Sequence, residues 1–78
     1  MMCRDEIEMI NEWFDHPDED RSSDTYRIED DYVVHPWDMD NFCKFLNDTF
    51  PDIVGIKCMA GNGGIWFRDG DLKKAEFL

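Results

Sequence analysis

The sequence predicts an α+β fold: a small two-layer sandwich in which an antiparallel sheet of about four strands, built from two hairpins, carries two main helices on one face. Three observations predict it. Two segments, Cys3–Phe14 and Met39–Phe50, repeat apolar residues at helical spacing. Two others, Thr25–His35 and Ile53–Arg68, are rich in β-branched and aromatic residues and are interrupted by turn signals. A chain of 78 residues has room for one modest core, so helices and strands must share it in two layers. The expected order is α-β-β-α-β-β-(α), with residues 1–78 as a single acidic domain.

The first helix is expected from about Cys3 to Phe14. Cys3, Ile7, Ile10 and Phe14 fall on one face, broadened by Trp13, while Asp5, Glu6, Glu8 and Glu12 take the other. The acids in its first turn suit the positive end of the helix dipole, and His16-Pro17 stops it. Asp18–Asp24 (DEDRSSD) holds no apolar residue and reads as a loop. Thr25–His35 then reads as a hairpin with Asp30-Asp31 as its turn, which would set Ile28 opposite Val33 and Arg27 opposite Val34.

The central helix is the element around which the rest is expected to pack. Asp38 is a suitable N-cap, Met39, Phe42 and Leu46 recur at helical spacing, and Phe45 and Phe50 widen the stripe before Pro51 ends it. A third strand is expected over Ile53–Met59, with Val54, Ile56 and Cys58 on one side. The glycines of 61–64 then turn the chain into a fourth strand, Ile65–Arg68, with Ile65 and Phe67 facing the core. Asp71 is expected to cap a last helical turn over DLKKAEFL, with Leu72 and Ala75 inward.

Chemical signatures are weak throughout. Ala60–Gly64 (AGNGG) leads into a strand, whereas a phosphate loop leads into a helix N-terminus. Asp15, Asp18 and Asp20, or Asp38 and Asp40, lack the central glycine and the closing glutamate of a calcium loop. His16, His35, Cys43 and Cys58 match no zinc spacing, and an odd three cysteines offer neither a disulfide framework nor a CxxC motif. They are expected as reduced thiols, Cys43 and Cys58 partly buried. Ser22 and Ser23 lie in an acidic loop without an activating base. The expectation is a protein that is not an enzyme and carries no cofactor or metal. No apolar run approaches the roughly 18 residues of a membrane span, and the acidic start MMCRDEIEM is unlike a signal peptide, so a cytoplasmic location is expected.

Charge is the informative feature. The formal net charge is −11, and residues 1–31 hold twelve acids against three arginines, while residues 51–78 balance. Such a run ordinarily makes a solvated face. Its functional reading is mimicry of a polyanion, since proteins that bind duplex DNA line their grooves with Lys and Arg to neutralise phosphates. The residues expected to meet a basic partner are Asp5, Glu8, Glu12, Asp15, Asp18, Glu19, Asp20, Glu29, Asp30 and Asp31. Among Trp13, Tyr26, Tyr32, Trp37 and Trp66, one or two exposed beside the acids would serve as anchors.

In size and charge the chain resembles phage-encoded anti-defence proteins of the anti-CRISPR, anti-restriction and glycosylase-inhibitor types. That resemblance implies an inhibitor that occupies the basic groove of a nucleic-acid-binding protein or nuclease complex and does not itself bind nucleic acid. An immunity protein or antitoxin neutralising a basic nuclease toxin shares the same electrostatics, and so does an acidic domain that mimics nothing.

Overall fold

A computed structural model describes residues 1–56, 59–61 and 64–78. Helix α1 spans Arg4–Asp15, strands β1 and β2 span Tyr26–Ile28 and Asp31–Val34, and a 3-10 turn at Pro36–Asp38 leads into helix α2, Met39–Thr49. Strands β3 (Ile53–Val54), β4 (Met59–Gly61) and β5 (Gly64–Arg68) follow, then helix α3 (Asp69–Lys74) and strand β6 (Glu76–Phe77). The main sheet is antiparallel with strand order β1-β2-β5-β4, and β3 pairs with β6 in a separate two-stranded sheet. The α+β class, the two hairpins and the helices on one face are as the sequence predicts.

Helical spacing makes the core. Ile10 and Phe14 of α1, Phe42 of α2 and Leu72 of α3 are buried with Tyr32, Val34 and Phe67, which alternate onto one face of the sheet. Phe67 is fully buried among aromatic rings, with centroids 4.8 Å from Tyr32, 5.7 Å from Phe42 and 6.2 Å from Phe14. Cys3 is the N-cap of helix α1, and its backbone N–H donates to Glu6 Oε1 at 2.9 Å; hydrogen bonds with the Cys3 side chain and, second, its backbone hold the Glu6 carboxyl below its usual range. It ends at His16, before proline, as expected.

Several expectations need correction. The hairpin turn is Glu29-Asp30 rather than Asp30-Asp31, so Ile28 faces Asp31, Arg27 faces Tyr32 and Tyr26 faces Val33. A two-residue hairpin needs positive φ at its first position, and Glu29 supplies it with a φ of 51°. The third strand is broken: β3 stops before Gly55, at φ 46°, and it is β4, beginning at Met59, that pairs with β5. Cys58 and part of the glycine-rich turn lie outside the described residues. Asp71 is the third residue of α3 rather than its cap, accepting from the Arg68 backbone N–H at 2.9 Å, and Glu76–Phe77 are strand rather than helix. Cys3 and Cys43 are exposed, each outside the buried stripe of its helix.

Candidate interaction surface

Asp38 stands at the N-cap position of α2 without capping it. Fully buried, its carboxylate turns to the DEDRSSD loop. Oδ2 accepts from the Ser22 backbone N–H at 3.0 Å and from Thr25 Oγ1 at 2.6 Å, and Thr25 Oγ1 in turn accepts from the His35 backbone N–H at 2.9 Å. Oδ1 has no hydrogen-bond partner among the described residues. From the middle of the loop, the Arg21 guanidinium donates to the Trp13 carbonyl and lies 3.5 Å from the centre of the Trp13 ring. Burial lowers the pKa of Arg21, and the nearby Asp18 and Asp38 charges oppose that shift. Backbone bonds from Arg21 N–H to the Asp18 carbonyl and from Thr25 N–H to the Ser22 carbonyl, each 3.1 Å, complete two turns. The loop is therefore tied to α1 and to the start of α2 even though it contributes no apolar side chain.

On this frame the ten expected contact residues divide into three groups. Asp5, Glu8, Glu12 and Asp15 are exposed on α1, spread along about 15 Å of helix axis. Asp18, Glu19 and Asp20 are exposed on the tied loop. Glu29 and Asp30 form the exposed tip of the first hairpin, while Asp31 is half-buried and belongs to β2 rather than to the turn.

Three of the ten are engaged in ion pairs. Arg4 Nε lies 3.2 Å from Glu8, Arg27 Nη2 lies 2.5 Å from Asp15, and Arg68 Nε lies 3.3 Å from Asp31. The Arg27 pair is two-pronged, with Nε also donating to Asp15 at 3.2 Å. It ties β1 to the end of α1, and the Asp15 hydrogen bonds raise the pKa of Arg27. The remaining seven acids make no ion pair among the described residues.

A cleft of about 330 Å3 opens beside the loop, where Asp18, Asp20 and Asp48 face Arg21 and Lys44 over the half-buried Trp13. Asp48 was not among the residues expected from sequence; it lies on α2, and only the packing of α2 beside the loop brings it here. Of the five aromatic candidates, Trp37 is 75% exposed and Tyr26 is 44% exposed. Tyr32 is buried, its hydroxyl donating to Asn11 Oδ1, and Trp13 lies under Arg21. Trp66 is half-buried in β5.

Among the described residues, no group of three His, Cys, Asp or Glu side chains is arranged to hold a metal ion. No described helix is long and apolar enough to cross a membrane. Comparison with protein-family models, with curated proteins and with solved structures gives no match.

Proposed function

We propose that this protein is a small acidic inhibitor that occupies the basic groove of a nucleic-acid-handling protein and blocks access of the nucleic acid. The observation that carries this reading is the seating of the unpaired acids. Asp18, Glu19 and Asp20 project from a loop held by Asp38 and Arg21, and Glu29-Asp30 from a two-residue turn. Acids carried on a backbone already held in place lose less conformational freedom on binding than acids on a loose loop, so more of their attraction is kept as affinity. A solvation face has no need of such fixing. Glu29 adds to this, because a side chain at φ 51° is strained where glycine would not be.

Association would be fast at low salt and slowed as salt screens the field. The test is a pull-down of the tagged protein from lysate at low and moderate salt, run beside a triple variant, Asp20→Lys, Glu29→Lys and Asp30→Lys. All three residues are exposed, so the variant is expected to keep its circular dichroism and melting curve. The wild type is expected to recover one basic nucleic-acid-handling protein that duplex DNA displaces, and the variant none. Equal recovery by the folded variant overturns the proposal.

A further inference from the structure

The second face of the four-stranded sheet is unlike the rest of the molecule. Strand alternation turns Tyr32, Val34 and Phe67 inward to the helices, and therefore turns Tyr26, Ile28, Val33, Trp66 and Met59 outward. Four of these form one cross-strand row. Tyr26 is opposite Val33, Val33 opposite Trp66, and Trp66 opposite Met59, so the row crosses every strand of the sheet over roughly 14 Å. Ile28 lies beside it, 60% exposed, and Met59 is 57% exposed.

The charged residues facing outward from the described strands are Asp31 and Arg68, which pair with each other at 3.3 Å. Arg68 also lies 5.3 Å from the centre of the Trp66 ring. In a chain of net charge −11, the outward side chains of the described strands carry no net charge.

We propose that two copies of the chain associate through this face, sheet against sheet. The charge distribution selects the occupant. A basic partner is drawn to the exposed acids of α1, the tied loop and the hairpin tip, and finds no excess charge among the outward side chains of the described strands. A second copy is repelled wherever two acidic surfaces would meet, and this face brings apolar rows together while keeping α1 of each copy on the far side of its sheet. A two-fold axis sets the same patch against itself, as most small homodimers do, and twisted sheets stack about 10 Å apart with interleaved side chains. The patch is small, so the dimer is weak, with a dissociation constant on the order of micromolar.

The proposal is independent of the inhibitor reading, and salt separates the two. Screening weakens docking on a basic partner, whereas it strengthens association of two like-charged chains through an apolar face. The experiment is sedimentation equilibrium of the purified protein up to roughly 1 mM, at about 0.05 M and about 0.5 M salt. A monomer–dimer equilibrium is expected, with the dimer favoured at the higher salt. Ile28→Lys and Met59→Lys are each expected to raise the dissociation constant at least tenfold with an unchanged melting curve. Asn47→Lys, on the exposed side of α2, adds the same charge and is expected to leave the dimer in place. A monomer at every concentration and salt overturns the proposal, and so does a dimer that the two face variants leave intact.

Discussion

Asp38 occupies a position where a carboxylate ordinarily caps a helix, and it holds a loop instead. Its Oδ2 satisfies two donors inside the protein, so replacing it by alanine leaves the Ser22 N–H and the Thr25 hydroxyl without that partner. Unsatisfied buried donors cost about 1–3 kcal/mol. Asp38→Ala is therefore expected to lower unfolding stability by about 2 kcal/mol in urea titration. It is also expected to speed tryptic cleavage after Arg21, because the loop loses its tie to α2. Tyr32 sets a second, pH-dependent effect. Burial, aided by the nearby Asp69 charge, pushes its phenol up to about 12, against about 10 in the unfolded chain. Between those values the unfolded chain holds fewer protons than the folded one, so stability falls as pH rises from 10 to about 12 and is untouched by this group below 10. Urea titrations across that range are expected to show a loss of at most ~3 kcal/mol from this group. Tyr32→Phe, with no proton to lose, is expected to remove that part of the slope.

The elements were legible where local chemistry alone decides them. Helices α1 and α2 follow from Ile10, Phe14, Phe42 and Leu46 at helical spacing and from the prolines at 17 and 51. What misled was chemistry decided at a distance. Ile53-Val54 is strand-like in either sheet, and its pairing with Glu76-Phe77 rather than with β5 depends on Gly55 turning the chain away. The hairpin turn fell one residue early because Glu29 accepts positive φ, which nothing about a glutamate announces. Side chains keep their faces despite that slip, since moving the turn by one residue shifts each pairing partner by two. Of the candidate surface, the exposure of the acids on α1 and the loop was readable, whereas the buried anchor Asp38 and the position of Asp48 beside the loop were not. Among the elements β5 matters most to the core. Phe67 joins the sheet to both main helices, and Phe→Ala in such a place costs about 3–5 kcal/mol. A domain of this size has a net stability of only about 3–5 kcal/mol. Phe67→Ala is accordingly expected to be unfolded at room temperature, with near-UV circular dichroism and amide dispersion lost together.

At the scale of the whole molecule apolar area and charge are kept on different surfaces. Apolar area on one side of the sheet is covered by α1 and α2, while the acids gather on α1, the tied loop and the hairpin tip. Collecting so much like charge raises self-repulsion, which the Arg27–Asp15 and Arg4–Glu8 pairs relieve only locally.

The contrast between the acids of α1 and the tied loop and the balanced outward face of the described strands has one more consequence, for motion rather than affinity. A body whose charge is gathered on one side behaves as an electric dipole, and a field exerts torque on it as well as pull. Near a positively charged surface this protein would rotate during its approach, arriving with α1 and the loop foremost and the Tyr26–Met59 row trailing. The collision would then sample few of the orientations open to an evenly charged sphere.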